Sequence, residues 1–558
     1  MSEKPEKTIT VTYNRLEEKE FPVGSSLKQI SKSFQHYYDY EILVAKVDND
    51  ITELCDKITK KCNVEFYDRS SSLGYNAYRT SGIFMMTVAV RNLYGEEVRV
   101  CVDHSLDRGV YCRVDELEIT DEVASNIEAE MMKISREDYL FKKVSVSRAD
   151  AIKYYKNKKM EDKVNVLKYI SNTFINLYKL DDIYDYFYNK MAYSTKQIND
   201  FRVSRVNENG FVLSFPTILN PECTLEYIHH GPVFNAFQDF GKLCDRLHVS
   251  TAADLNQIVS AAKIDEFIRL SEAYHNTQLV EISSDIYENR KKVKLILLAG
   301  PSSAGKTTTA RKLITFLKSR GLNVIQLSTD DYFVNKTETP RNAKGEYDFE
   351  SLRSVDLDLF NKHLMLLLDG ERVEIPRYNF VTGKREYRKN FVQLEEEDIL
   401  IVEGIHALND QLTMSVDRFN KYKIYISPLV QLNVDDHSHV HTSDIRRLRR
   451  IIRDSKTRGR GASDTLRMWP SIEKGERENI YPFQSEVDAV INSSLIYEIG
   501  VLKTYVEPLL FCVSEDDPVY PEALRLINFL RNFLPIPSDD IPLDSVLREF
   551  IGGSCFEH

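Results

Sequence analysis

A glycine-rich segment at residues 300–307 has the residue types and the spacing of a phosphate-binding loop. It reads Gly-Pro-Ser-Ser-Ala-Gly-Lys-Thr and fits the pattern G-x-x-x-x-G-K-[ST], known as a P-loop. Glycines allow backbone N–H groups to turn toward an anion, Lys306 can reach the β- and γ-phosphates, and the Thr307 hydroxyl can hold Mg²⁺. A chance match in a surface loop is the alternative. The residues predicted to bind a nucleotide here are Gly300, Ser302, Ser303, Ala304, Gly305, Lys306, Thr307 and Thr308.

The flanking residues predict the two elements that such a loop requires. An apolar run at 295–299 predicts a strand leading into the loop, and Ala310, Leu313 and Leu317 recur at helical spacing after it. Gly321 then favours a helix end. Because a helix N-terminus adds positive potential toward a bound anion, this strand-loop-helix order favours a nucleotide-phosphate site over a chance match.

Two acidic residues lie at the ends of later apolar runs. Residues 324–328 and 399–402 each predict a strand, and Asp330 and Glu403 stand at or just beyond the carboxyl ends of those strands. In a doubly wound parallel sheet, these ends face the ligand crevice. Asp330 could accept a proton from an attacking hydroxyl, and Glu403 could be a second anchor for Mg²⁺. The alternative for Asp330 is a turn or helix-capping role.

Residues 444–460 carry the largest cluster of arginines. On a helical wheel Arg446, Arg449, Arg450 and Arg453 share one face, and apolar residues share the opposite one. We interpret this segment as a lid whose guanidinium groups contact the transferring phosphoryl group. A solvated face and an RNA-binding stripe are the alternatives. The preceding His-Ser-His-Val-His at 437–441 is interpreted as a polar loop rather than a metal site.

Length and composition limit the class of protein. With 558 residues, 42% hydrophobic and 28% charged, the chain predicts several globular domains. A net charge of -11 argues weakly against a general nucleic-acid binder. The sequence has no apolar run of membrane-spanning length and no secretory signal at its start, and its eight cysteines form no C-x-x-C pair. We therefore expect a cytoplasmic protein with reduced thiols and no membrane partner.

The first 240 residues resemble parts of threonyl-tRNA synthetases. Residues 1–70 predict a β-β-α-β-β order, and the phrase beginning at Ala45 is similar to the TGS domain, a β-grasp module. Residues 71–240 resemble the α+β editing domain of those synthetases. That family's zinc-binding histidines are matched here by Thr80 and Phe84, so the resemblance implies a retained fold without its metal. RNA binding by this half is left open.

Residues 293–500 resemble the uridine kinase/phosphoribulokinase family. The resemblance rests on the P-loop and on five phrases that follow it in order, beginning at Leu327, Tyr347, Val373, Val402 and Arg449. It implies a P-loop nucleoside triphosphatase fold with a doubly wound parallel sheet, and Mg·ATP-dependent phosphorylation of a small hydroxyl compound.

The resemblance also implies a role for each matched residue. Asp330 is the general base, assisted in catalysis by Lys306, Arg450 and Arg453. Thr307 and Glu403 hold Mg²⁺, and Arg458 and Arg460 complete the lid over ATP. The residues implied to bind the acceptor are Phe349, Glu350, Tyr378 and Phe380.

Departures from the family pattern concern the acceptor. Glu350 replaces an aspartate, Gly383 a base-reading histidine and Met468 a glutamine, so polar groups that discriminate a pyrimidine are missing. The leading hypothesis is a uridine/cytidine kinase of nucleotide salvage. A kinase of the same fold acting on a sugar or sugar phosphate is the second, and an RNA- or ribosome-associated NTPase is the third.

The predicted organisation is a multidomain α/β and α+β chain. Its parts are a TGS-like domain at 1–70, an editing-like domain at 71–240, a helical connector at 241–290, the kinase domain at 291–512 and a helical extension at 513–558. The apolar segment near the C-terminus is expected to dock on another domain or on another subunit of a homo-oligomer. We assign it no chemistry.

Overall fold

The N-terminal part is a five-stranded mixed sheet with one short helix. The computed structural model describes residues 8–341, 345, 347–379 and 381–556. The sheet order is β2-β1-β5-β3-β4, in which only β1 and β5 are parallel. The structure has one strand more than predicted, because the turn after β3 returns as β4. The elements are β1 (Thr8–Tyr13), β2 (Glu17–Pro22), α1 (Leu27–Ser31), β3 (Ile42–Val47), β4 (Asp50–Glu53) and β5 (Cys62–Asp68). The likeness to a TGS domain stays a prediction.

The next region packs a long buried helix against two antiparallel sheets. Phe84, Met85 and Met86 at the centre of α2 are fully buried. The sheets have the orders β11-β12-β7-β6 and β10-β9-β8. The elements are α2 (Ser72–Tyr94), β6 (Arg99–Leu106), β7 (Gly109–Asp115), α3 (Asp121–Glu137), β8 (Lys142–Ser147), α4 (Arg148–Asn157), α5 (Glu161–Lys168), β9 (Phe174–Leu180), β10 (Ile183–Asp185), β11 (Arg202–Asn207) and β12 (Gly210–Ser214). The likeness to an editing domain also stays a prediction.

Three helices connect this region to a parallel sheet, as α6 (Gly231–Leu247), α7 (Ala252–Ser260) and α8 (Ile264–Glu288). The elements that follow are β13 (Leu295–Ala299), α9 (Lys306–Ser319), β14 (Val324–Ser328), α10 (Leu357–Leu368), β15 (Val373–Glu374), β16 (Arg377–Asn379), β17 (Lys384–Glu386), β18 (Phe391–Val392), β19 (Ile399–Glu403), β20 (Lys421–Ser427), α11 (Thr442–Thr457), α12 (Ala462–Asn479), β21 (Ala489–Asn492), α13 (Glu498–Phe511), α14 (Tyr520–Leu530) and α15 (Arg548–Ile551).

The parallel sheet has the order β14-β19-β13-β20-β21, and each neighbouring pair is parallel. Strand β13 is buried throughout because helices cover both faces of the sheet. Helices α8 and α9 pack on Ile296 and Leu298, whereas α6 and α10 pack with Leu295 and Leu297 on the other face. This is the doubly wound parallel sheet that the sequence predicted, and it brings the carboxyl ends of β13, β19 and β14 to one edge.

A third core joins the segments around the sheet. Apolar residues of α7, α11, α13, α14 and the C-terminal segment share one continuous cluster. The predicted helical connector and C-terminal extension therefore pack together and enclose the arginine-rich helix α11. The predicted domain boundaries stay predictions. Within the described ranges, no helix combines the length and the apolar character needed to cross a membrane.

Candidate active site

The P-loop is tightly wound between β13 and α9. A Cβ atom on Gly300 would lie 2.0 Å from the carbonyl oxygen of Ile426 in the adjacent strand β20, so this position requires glycine. Gly305 has a φ of +87° and precedes the first residue of α9, while Ser303 has a φ of +60°. The loop thus leads directly into a helix N-terminus, which is the arrangement that favours a bound anion.

Lys306 is held back against the start of its own loop. Its Nζ donates to the carbonyl oxygens of Gly300 at 2.9 Å and Pro301 at 3.2 Å. Burial lowers the pKa of Lys306, and the carboxylates of Glu403 and Asp330 oppose that shift. The Lys306 ammonium group is therefore close enough to both predicted acidic residues to interact with their charges. Phosphate oxygens could replace the two carbonyl oxygens that now accept its hydrogen bonds.

The two acidic residues meet at the end of neighbouring strands. Glu403 is the last residue of β19 and lies in register with Ser328 of β14 and Leu298 of β13. Burial, followed by the negative charge of Asp330, raises the pKa of Glu403 to about 7. Asp330 lies in the turn that follows β14. The strand ends thus bring together residues that are 73 positions apart in the sequence.

A close backbone approach fixes this turn against β19. A Cβ atom on Gly404 would lie 1.8 Å from the Thr329 Oγ1 atom, and Gly404 has a φ of +158°. Any side chain at position 404 would push Thr329 away and move the adjacent Asp330. Glycine after Glu403 is therefore required for the two carboxylates to share one site.

Thr307 and Glu403 fit a magnesium ion bound together with phosphates. Mg²⁺ prefers oxygen ligands and usually takes one or two from the protein, with substrate phosphates and waters supplying the rest. Thr307 lies in the first turn of α9 at the same sheet edge as the Glu403 carboxylate. Among the described residues, no group of three or more His, Cys, Asp or Glu side chains is arranged to hold a metal.

The arginines of helix α11 and the residues after it fall into two groups with different partners. Arg446 and Arg449 are fully buried in ion pairs with Glu476 and Glu498, and they donate to the carbonyl oxygens of Ser302 and Ser303 at 3.4 Å. These two arginines therefore stabilise the P-loop through its backbone carbonyl groups. The alternative of a solvated arginine face is wrong, because α11 is buried between α12, α13 and α15.

The remaining arginines lie close together beside the loop. Arg450 donates to the Ser302 hydroxyl and to Asp454, the latter at 3.0 Å. Burial, followed by repulsion from Arg458 and Arg450, lowers the pKa of Arg453 to about 9. Arg458 pairs with Asp454 at 3.4 Å, whereas Arg460 contacts the Met468 sulfur at 3.4 Å. Three of the four predicted lid arginines therefore converge, and Arg460 lies at the rim.

The predicted acceptor residues form a group across from the P-loop. Phe333 packs against Phe349 and Tyr378, with ring centroids 6.1 and 5.5 Å apart. Glu350 packs on Gly475 of α12, where an added Cβ would lie 2.3 Å from the Glu350 Cβ atom. Burial raises the pKa of Glu350 to about 7, against the opposing charge of Arg450. Phe380 lies outside the described residues.

Gly383 stands where the family resemblance expects a base-reading histidine. It has a φ of +67°, and an added Cβ would lie 2.8 Å from the Lys336 Cβ atom. The Lys336 N–H also donates to the Gly383 carbonyl oxygen at 2.8 Å. A histidine would be strained and would clash here. The backbone conformation of the β16–β17 hairpin therefore excludes a histidine side chain at position 383.

Two carboxylates contact the loop without any motif to mark them. The Ser302 N–H donates to Glu476 Oε1 at 2.8 Å, and the Thr308 hydroxyl donates to Glu549 Oε2 at 2.9 Å. Glu476 is more than 170 residues away along the chain, and Glu549 is 241 residues away. Sequence reasoning missed both because each looks like an ordinary helical glutamate.

The histidine motif is a loop, as predicted, but His437 and His439 are buried and His441 is half-buried. Residues 433–441 pack against strand β6, and the Val102 N–H donates to the Asp436 carbonyl oxygen at 2.7 Å. His437 contacts Asp185 at 2.5 Å, and His441 contacts the buried Arg79. The motif therefore joins the kinase region to the first half of the chain.

The parallel sheet and the P-loop together give the C-terminal half a P-loop kinase-like fold. Residues 295–497 match the Phosphoribulokinase / Uridine kinase family. A uridine kinase from Bacillus pumilus (strain SAFR-032) is 29% identical over 203 residues, which are 36% of this chain and 87% of that protein. The uridine kinase of Saccharomyces cerevisiae is 28% identical over 205 residues, or 36% of each chain, so this chain spans about a third of that relative. The chain thus contains a uridine kinase/phosphoribulokinase family domain at residues 295–497.

A structural comparison gives a weaker likeness. A solved structure described as a possible uridine kinase from Bacillus stearothermophilus has 22% identity and a TM-score of 0.21, covering 24% of this chain and 70% of that one. We draw nothing from so low a score. The family match does not cover residues 1–294 and 498–558.

Proposed function

We propose that this chain transfers the γ-phosphoryl group of Mg·ATP to the hydroxyl group of a small molecule, with the 5′-hydroxyl of uridine or cytidine as the leading acceptor. The observation that carries the proposal is the meeting of Lys306, Asp330 and Glu403 at the carboxyl ends of three adjacent parallel strands. Matches to uridine kinases over the same stretch support the nucleoside.

In the proposed reaction each residue of the chain has a distinct task. Asp330 accepts the proton of the attacking acceptor hydroxyl. The hydroxyl oxygen bonds to the γ-phosphorus, and the bond between that phosphorus and the ADP oxygen breaks. Lys306 and the guanidinium groups of Arg450 and Arg453 stabilise charge on the phosphoryl oxygens. Glu350 accepts hydrogen bonds from acceptor hydroxyls. Thr307 and Glu403 would hold Mg²⁺, which neutralises phosphate charge when bound.

A second acceptor class is favoured by one specific observation. The hairpin at Gly383 leaves no space for a side chain, so the polar group that would read a pyrimidine edge is missing. A site that lacks a hydrogen-bonding partner discriminates poorly between bases. Binding of a sugar or sugar phosphate would use Glu350 and the aromatic side chains of Phe349 and Tyr378. It would not need a side chain that recognises a base.

A panel assay tests the proposal. The purified chain is incubated with Mg·ATP and uridine, cytidine, sugars or sugar phosphates, and phosphorylated products are identified by mass spectrometry. We expect 5′-phosphorylated uridine or cytidine, and no product with Lys306→Met. Turnover of a sugar without any nucleoside product would favour the second class. Nucleotide hydrolysis stimulated by RNA or ribosomes, without a phosphorylated small molecule, would overturn both.

A further inference from the structure

The C-terminal segment 541–551 lies on the P-loop instead of extending into solvent. Its apolar side chains enter the core formed with α11 and α13, and Phe550 lies under the Arg449 guanidinium at 5.1 Å. The buried members are Ile541, Val546, Leu547, Phe550 and Ile551. This docking positions the polar residues of the same segment against α9.

Two polar contacts fix the segment along the first turns of α9. Glu549 accepts hydrogen bonds through Oε2 from the Thr308 hydroxyl at 2.9 Å and from the Thr308 N–H at 3.4 Å. Asp544 pairs with the buried ammonium group of Lys312, further along the helix, at 3.2 Å. The segment thus follows α9 from its N-terminus over more than one turn.

The same segment covers the last glycine of the P-loop. A Cβ atom on Gly305 would lie 2.2 Å from Val546 Cγ2, so the valine side chain contacts the backbone directly. In a P-loop, the backbone N–H groups here and the start of the helix cradle nucleotide phosphates. Val546 and Glu549 therefore contact Gly305 and Thr308, two of the residues predicted to bind the nucleotide.

Charge supports the view that Glu549 takes the place of a phosphate. Lys306, Arg450, Arg453 and Arg458 concentrate positive charge beside the loop. Glu549 Oε1 lies 3.9 Å from Arg453 Nη1, so the C-terminal segment places a carboxylate against this group of cations. A carboxylate that accepts from a helix N-terminus and neutralises a guanidinium group reproduces the two interactions of a bound phosphate.

We infer that segment 541–551 is an autoinhibitory element of the kinase: with Glu549 on Thr308 and Val546 on Gly305, the docked segment and a bound nucleotide exclude each other. The inference rests on the proposed function, because it regulates that same nucleotide site. Nucleotide binding then requires release of the segment. The measured affinity for the nucleotide is the intrinsic affinity multiplied by the fraction of molecules in which the segment is released.

Calorimetric titration with Mg·ADP tests this without any acceptor. We compare the full chain with Glu549→Ala and with Asp540→Ala, which removes the same charge from an exposed position of the same region. Because two hydrogen bonds to a charged group and an ion pair are lost, Glu549→Ala should bind ADP about tenfold to a hundredfold more tightly. Asp540→Ala should match the unaltered chain.

Hydrogen exchange on the unaltered chain gives a second readout that needs no variant. Saturating Mg·ADP should increase exchange of the amides at 546–551, since these residues leave the core, while the amides of α13 stay protected. Equal or weaker ADP affinity in Glu549→Ala, or a segment that stays protected at saturating ADP, overturns the inference. If no form of the chain binds ADP, the inference fails together with the nucleotide site. Tighter ADP binding by Glu549→Ala without phosphoryl transfer to any hydroxyl compound would support the inference and overturn the proposed function.

Discussion

Replacement of Asp330 by asparagine tests the proposed chemistry most directly. The substitution keeps the size of the side chain but removes the group that would take the proton from the acceptor hydroxyl. Loss of a general base costs about 10²–10⁴ in rate, which corresponds to about 3–5 kcal/mol in the activation free energy. We therefore expect kcat to fall by that factor.

Nucleotide binding should survive the same change. The negative charge of Asp330 is one cause of the raised pKa of Glu403, and it also opposes the lowered pKa of Lys306. Without that charge Glu403 ionises more readily, which favours a divalent cation. The affinity for Mg·ADP should accordingly be unchanged or slightly higher, so that the loss appears in kcat rather than in binding.

The neighbouring aspartate provides the matched control. Asp331 accepts a hydrogen bond from the Tyr378 N–H at 3.2 Å and is given no role in the proposed proton transfer. Asparagine retains an oxygen that can accept this bond, so Asp331→Asn should change kcat by less than about threefold. Single-turnover assays with the acceptor found in the panel measure both variants. A rate for Asp330→Asn within tenfold of the unaltered chain, or equal losses in the two variants, would refute the role of Asp330 as base.

Two further predictions concern stability. Lys163 is fully buried between Asp185 at 2.7 Å and Asp435 at 2.9 Å, so Lys163→Met removes the ammonium group that these two buried carboxylates share, and should cost about 3–5 kcal/mol in urea unfolding even though Asp185 keeps its contact with His437. Lys242→Met, in an exposed pair, should cost less than about 1 kcal/mol, and equal effects would contradict the argument. Glu403 has a folded-state pKa of about 7, above the 4.5 of the unfolded chain, so its contribution to stability is fully present below about pH 4.5 and is lost as pH rises through 7. Without magnesium, Glu403→Gln should therefore be more stable than the unaltered chain by about 3 kcal/mol at pH 8 and equal to it at pH 4.5, as thermal unfolding at both values would show; a difference that does not depend on pH would contradict the raised pKa.

Much of the nucleotide site was predictable because its determinants are local. The strands β13, β14 and β19 are short apolar runs that end at polar or glycine residues, and their bounds agree closely with the predicted ones. Once a parallel sheet is inferred, its topology places the P-loop, Asp330 and Glu403 at one edge. The structure added the strand order and the contacts of Glu476 and Glu549 with Ser302 and Thr308.

The arginine helix shows where local pattern stops being sufficient. Helical periodicity grouped Arg446, Arg449, Arg450 and Arg453 on one face, but it contains no information about what each side chain meets. Glu476 and Glu498 from α12 and α13 bind the first two and turn them into supports of the loop. Arg450 and Arg453 instead pair with Asp454 and Glu549.

The sequence by itself determined the phosphate-binding loop, its strand and helix, and the acidic residues that follow neighbouring strands, because motif spacing and hydrophobic periodicity encode them within a few residues. Tertiary structure alone decided that the histidines at 437–441 pack against the first half of the chain and that Glu549 sits on Thr308. Both depend on contacts between residues more than 200 positions apart, and such contacts are set by how whole layers pack. The P-loop was therefore visible in the sequence, whereas the segment that covers it was not.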